Sequence, residues 1–196
     1  FLPYLALLRQ RRPREVIVTA IFEGFFFFGA GAFLGAFLHD RFEIGYAWVG
    51  LMLACFGAGS LIYSRTAGPI IQTLGERGLV NDGSGAMSCC YLALAFAPNW
   101  QTCVPILMIC GFGFYLLHNT LQTLATELAP DARGTAVSLF AFSLIIGQGA
   151  GVAFLGSIID RYGYTPAFVL VSIAVICLGM WFQDRLKVVP PVAVSP

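Results

Sequence analysis

Two titratable side chains stand inside long apolar runs. Glu23 lies within Val16–Leu38, and His118 within Val104–Ala125. A charged group in a hydrocarbon core costs at least a few kcal/mol, so each must face a cavity or a partner. Glu23 is seven residues from the start of its run and His118 seven from the end of its own, each roughly 10 Å deep at 1.5 Å per residue. On antiparallel helices the two sit at matching depth. A carboxyl there can take up a proton from one side and release it to another. Histidine titrates near physiological pH, so facing residues would titrate as a pair. Tyr115, Asn119, Gln122 and Thr126 flank His118 at spacings of three and four, on one side of a helix. Such a stripe lines an aqueous path or hydrogen-bonds neighbouring helices, and both readings stay open. Tyr115 could bond a substrate or an adjacent helix. Phe27, in the run Gly24-Phe-Phe-Phe-Phe28, is the aromatic candidate for a cavity wall, although packing and lipid contact explain most of that run. Asp82 reads as an interfacial acid.

The elements that carry these residues are membrane helices. Of 196 residues, 58% are hydrophobic and 11% charged, against about 45–50% and about 25% in soluble domains. The net charge of +1 excludes a disordered tail and a nucleic-acid binder. Six stretches reach or approach the ~20 apolar residues of a span: Val16–Leu38, Tyr46–Ile62, Leu79–Ala97, Val104–Ala125, Ala136–Ile159 and Ala167–Phe182. Turn signals separate them at His39-Asp40-Arg41, Leu74–Arg77, Pro98-Asn99, Pro130-Asp131 and Asp160–Gly163. The second helix is expected to run to about Ile71 and to bend or end near Gly68-Pro69. Pro166 suits the first position of the last helix. The six cysteines read as small buried hydrophobes. No alternating pattern suggests a barrel. The expected fold is all-α, six transmembrane helices.

Arg9, Arg11, Arg12, Arg14, Arg65, Arg77, Arg133, Arg185 and Lys187 fall on one side; Arg41 and Arg161 fall on the other. Nine against two places both termini in the cytoplasm of a multi-pass cell-membrane protein. The expected organisation is a basic linker or interfacial segment over 1–15, a bundle over 16–182 and a cytoplasmic tail over 183–196. Phe1–Leu8 suits an interfacial helix or the end of a preceding span, and the basic cluster after it suits anionic lipid. Lacking an initiator Met, the chain reads as a piece of something longer.

Gly68–Gly75 and Gly156–Gly163 both read Gly-x-Ile-Ile-x-x-x-Gly, 88 residues apart, and at that offset Gly59 falls on Gly147 and Leu51 on Leu139. The first copy lies on the cytoplasmic side and the second outside. The expectation is two three-helix repeats of inverted topology, a design recurrent in secondary transporters.

These residues carry a family resemblance. Gly68–Arg77 resembles the loop between helices eight and nine of major facilitator superfamily transporters, with Gln72 and Thr73 where the family often has Asp and Arg. Pro130–Leu139, with Arg133-Gly134-Thr135-Ala136, resembles the entry to helix eleven. Gly147, Gly149, Gly151 and Gly156 resemble that helix's glycine face. The resemblance implies helices seven to twelve over 16–182. It implies a cavity lined by the helices of Glu23 and His118. Gly57, Gly59, Gly68, Gly75, Arg77, Arg133, Gly134, Gly147, Gly149, Gly151 and Gly156 would then serve gating and packing.

The expected function is secondary active transport. No Walker-type loop is present, so an ion gradient, with protons the expected partner, supplies the energy. Without an intramembrane Arg or Lys, a neutral or cationic organic solute such as a sugar or drug fits better than an anion, and export is favoured. The bundle needs an opposing surface: a missing N-terminal six-helix half or a second copy. The alternative is a non-transporting receptor, scaffold or truncated remnant. An intramembrane serine protease would need Asp82-Gly83-Ser84-Gly85 beside His118. Two histidines without a helix-borne cluster give no metal site, and no cofactor is expected.

Overall fold

The computed structural model describes residues 9–127 and 133–186. Among these, five helices are long and apolar enough to cross a membrane. They are α1 (Arg11–Phe42), α2 (Tyr46–Ala95), α3 (Trp100–Glu127), α4 (Arg133–Tyr162) and α5 (Tyr164–Leu186). The Pro130–Leu139 stretch is described only from Arg133. Phe1–Leu8, Pro130-Asp131 and Lys187 lie outside the described residues.

Several breaks differ from expectation. The 50 residues of α2 would be about 75 Å long if straight. The interruption falls at Gly75 (φ 62°, ψ 175°), and Pro69 continues the helix. Gly68-Pro69 is therefore not the break. The proline ring costs one backbone hydrogen bond, whereas the Gly75 geometry is accessible only without a Cβ. Gly75 divides α2 into a first arm, 46–74, and a second arm, 76–95. His39-Asp40-Arg41 belongs to the last turn of α1, which ends at Glu43 in the left-handed region (φ 53°). The helix opening at Tyr164 makes Pro166 its third residue rather than its first, still within the turn where an N–H has no helical partner. The Asn99 side chain accepts from the Thr102 N–H at 3.1 Å and caps α3. The cysteines are not uniformly buried: Cys90, Cys103 and Cys110 are, but Cys89 and Cys177 are exposed. An outward apolar side chain suits a lipid-facing helix as well as a core position, so hydropathy does not distinguish them.

Glycines set the helix packing. A Cβ on Gly24 would run into the Leu144 carbonyl, and one on Gly147 into the Ile21 carbonyl. This brings the α1 and α4 backbones together, with Gly29 and Gly151 a turn further on. A Cβ on Gly59 would meet the Met108 carbonyl, and one on Gly111 the Phe56 carbonyl, which does the same for the first arm of α2 and α3. Gly83 and Gly113 join the second arm to α3. Without a hydrophobic drive between helices in lipid, such close approach supplies the packing energy. Three buried hydroxyls are satisfied on their own helices: Thr19 donates to Glu15 O, Thr120 to Leu116 O and Ser143 to Leu139 O, at 2.7–2.8 Å.

Candidate functional site

α1 changes its winding at the residue that matters. It is α-helical over Arg11–Glu23, a π-helix over Gly24–Phe28, and α-helical again at Gly29–Gly31. A π-turn holds one extra residue and is frequent at functional sites. Here glycines bracket it. Phe27 O accepts the Tyr91 hydroxyl at 3.1 Å, which ties the widened turn to the second arm of α2. Glu23 is the last residue before the π-turn, and it is 1% exposed.

The two residues expected at matching depth meet. His118 Nδ1 lies 3.1 Å from Glu23 Oε1, with the His side chain 16% exposed. Glu23 Oε2 has no hydrogen-bond partner among the described residues. Aromatic rings enclose the imidazole: Phe114 stacks on it at 4.7 Å, with Phe140 at 5.7 Å and Phe28 at 5.9 Å.

The polar stripe of α3 divides. His118 turns to α1, while Tyr115, Asn119, Gln122 and Thr126 line a cleft of about 680 Å³ beside the first arm of α2. Tyr63, Ser64 and Ala67 form the opposite wall, and Glu76 and Glu127 complete the lining. Phe27 instead borders a second cleft of about 370 Å³ with Phe28, Leu53, Phe56, Phe114 and Gln148. Its ring lies parallel to Phe114 at 4.8 Å. Phe114, which stacks on His118, borders the second cleft, and Tyr115 and Asn119, on the same helix as His118, border the first.

The glycine candidates fall into two sets. Gly59, Gly147 and Gly151 are buried against neighbouring backbones, and Gly156 packs on Phe33. Gly57, Gly68, Gly134 and Gly149 are exposed, with open space where a Cβ would be; Gly75 is the kink, also in open space. Arg77 and Arg133 are exposed, away from both clefts. Ser84 is buried with its hydroxyl 3.1 Å from Asn81 O and in the path of a Cβ on Gly179. It forms no pair with His118, which is committed to Glu23. Asp82 is exposed and accepts from Asn81 at 3.1 Å. Sequence reasoning missed Gln148, Tyr63 and Phe114. Gln148 is the one amide within the glycine face of α4, and Phe114 precedes His118 by one helical turn. Both signals were readable.

Comparison with known proteins gives the family. The Major Facilitator Superfamily description matches residues 1–152. The uncharacterized MFS-type transporter YwfA of Bacillus subtilis is 27% identical over 154 residues, 78% of this chain and 37% of that protein. A class G tetracycline resistance protein of Vibrio anguillarum is 36% identical over 118 residues, 55% of this chain and 29% of that one. The MFS-type transporter YceJ of Bacillus subtilis is 26% identical over 136 residues, 66% of this chain and 33% of that one. The chain thus spans about a third of the length of the curated relatives it matches. On both the helices and these matches, this multi-pass membrane chain belongs to the Major Facilitator Superfamily, a family of transporters rather than enzymes.

Proposed function

We propose that this chain is one half of a proton-coupled secondary transporter, helices seven to twelve of the fold, and that Glu23 carries the proton. The observation that carries this reading is the buried Glu23–His118 pair, with Glu23 Oε2 unpartnered among the described residues. An ionised carboxylate with an unsatisfied oxygen is costly in an apolar interior. With one shared proton the pair is neutral, either as carboxyl and imidazole or as carboxylate and imidazolium. Loss of that proton leaves a net negative charge, which is tolerable only when a cleft opens to water or a cationic solute arrives. Proton release is thereby tied to access and to loading, the requirement for exchange transport.

Counting the two arms of α2 separately gives six spans. The glycine contacts support two inverted repeats. Gly59 on Met108 and Gly111 on Phe56 correspond, 87 or 88 residues apart in numbering, to Gly147 on Ile21 and Gly24 on Leu144. The bias of Lys and Arg supports cytoplasmic termini, with the bundle over 16–182 between a basic segment and a tail. The larger cleft then opens to the cytoplasm. Its tyrosines, amides and two acids, without a lysine or arginine, suit a neutral or cationic organic solute. The relative named for tetracycline resistance favours a drug-like molecule moved outward. Gly57 and Gly149, exposed and open, suit sliding contact with an opposing six-helix unit, supplied by further sequence or by a second copy. Gly68, Gly75, Arg77, Arg133 and Gly134 suit the gating loops.

The test is Glu23→Gln in the complete transporter, reconstituted with an imposed pH gradient. Accumulation driven by that gradient should be lost while solute exchange continues. Accumulation equal to wild type would make Glu23 a packing residue.

A further inference from the structure

Away from both clefts, α1 and α5 leave a groove of about 330 Å³ on the outer surface, lined by Val18, Phe22, Phe26, Cys177, Leu178 and Trp181. Phe22 is 45% exposed there. The groove is apolar along its length and ends under charge. On α1, Arg11, Arg14 and Glu15 continue the stripe of Val18, Phe22 and Phe26 at helical spacing. On α5, the Arg185 guanidinium sits 5.3 Å over the Trp181 ring and roofs the groove. Glu15 Oε1 joins the two helices: Arg11 Nε donates to it at 3.0 Å, and an Arg185 amino group lies 3.7 Å away. Asp184, next to Arg185 in the chain, is a further acid on α5. Each joined guanidinium keeps further N–H donors, and Arg14 is exposed with no ion pair among the described residues.

We infer that this groove is a binding site for an anionic phospholipid, with one acyl chain along Phe22, Phe26 and Cys177 and the phosphate at Arg185 and Arg14. The occupant follows from the charge pattern. Both walls belong to membrane helices, so the apolar floor meets hydrocarbon. The rim carries more guanidinium than carboxylate, and Arg185 lies about one turn above Trp181 and Arg14 about two turns above Phe22, where a headgroup stands, with Arg11 a turn further out. An aromatic ring under an arginine is the interfacial arrangement that holds a chain and a phosphate together. Glu15, lying between Arg11 and Arg185, holds their side chains across the helix gap instead of leaving them to extend into water. A zwitterionic lipid would bring an ammonium against the same cations and lose part of the attraction.

Trp181 reports on the groove directly. The other tryptophans, Trp48 and Trp100, lie 6.0 Å apart at the far ends of their helices and can be replaced by Phe. The full chain with Trp181 as its single tryptophan is placed in phosphatidylcholine nanodiscs and titrated with lipid brominated on the acyl chain. Brominated phosphatidylglycerol should quench Trp181 with an apparent association about fivefold that of brominated phosphatidylcholine, the preference that roughly one basic residue near the surface confers. Arg185→Gln and Arg14→Gln should each move that ratio toward one, and Arg185→Lys should keep most of it. Arg14→Gln tests the assignment without disturbing the Glu15 bridge, should Arg185→Gln loosen the helix pair. Equal quenching by the two lipids in the parent chain would overturn the headgroup site. Quenching by neither would mean that protein, such as Phe1–Leu8 or a second copy, covers the groove, and would overturn it as well.

Discussion

Replacing Gly147 with Ala should destabilise the bundle, and replacing Gly149 with Ala should not. At Gly147 the new methyl would overlap the Ile21 carbonyl oxygen and stand 3.0 Å from the Ile21 carbon and the Phe25 nitrogen. These atoms belong to a helix backbone and cannot rotate away, so α1 and α4 must separate. Forcing a methyl into a filled contact costs about 1–3 kcal/mol, offset by the better helix propensity of Ala, about 0.8–1 kcal/mol over Gly. For a chain of this size 1 kcal/mol moves the midpoint by roughly 2–4 °C, so the net loss at Gly147 reaches at most about 8 °C, and the gap to Gly149→Ala is set by the full overlap cost. Gly149 has nothing within 4 Å of its Cβ position, and there only the propensity gain applies. The same contrast holds between Gly59, whose Cβ meets the Met108 carbonyl, and Gly57, in open space. The assay is the thermal midpoint of the chain in detergent, read from the reaction of its buried thiols Cys90, Cys103 and Cys110 with a maleimide dye. Equal midpoints for Gly147→Ala and Gly149→Ala would refute the claim that backbone approach holds these helices.

In the complete transporter, Gly57→Leu and Gly149→Leu should slow transport at least tenfold with unchanged midpoints, because their open faces serve the opposing unit; normal turnover would leave those faces to lipid. Gly75→Ala should lower the midpoint, since φ 62° with ψ 175° costs a Cβ-bearing residue about 1–3 kcal/mol; an unchanged midpoint would mean that the kink relaxes. On a Cys-free background, cysteines at His39 and Asn99 should label from outside and one at Asp131 should not, and the reverse would invert the topology. His118→Ala should shift the pH optimum of transport yet leave some gradient-driven uptake, whereas loss equal to that of Glu23→Gln would make both residues indispensable to proton binding.

What could be read from the sequence divides along physical lines. The matching depth of Glu23 and His118 was legible, because a charge in hydrocarbon needs a partner or a cavity and the helical rise gives its level; that the two face each other was not, because it depends on helix rotation. The membrane class was legible because 58% apolar composition has no soluble solution at this length. Breaks were less so. Gly75 and Gly68 both precede or follow apolar helix, and only the backbone angle separates the glycine that turns the chain from the one that continues it. The burial of cysteines was illegible for a related reason. In lipid an outward Cys177 and an inward Cys110 cost about the same, so the pattern that marks a soluble core is silent.

The π-turn at Gly24–Phe28 was not legible either, and it connects the site to its surroundings. Four consecutive phenylalanines have no preferred face, so the winding is decided by neighbours: Leu144 against Gly24, and the Tyr91 hydroxyl on Phe27 O. An extra residue in one turn changes the facing of everything beyond it relative to Glu23. Phe27 and Phe28 thereby reach Phe114, whose ring also stacks on His118. The carboxyl and the wall of the second cleft are consequently joined through one aromatic stack rather than through a chain of polar groups. Phe114 is the contact shared by the rings of the π-turn and the imidazole. On the proposed reading, this mechanical path couples the opening of a cleft to the proton held between Glu23 and His118.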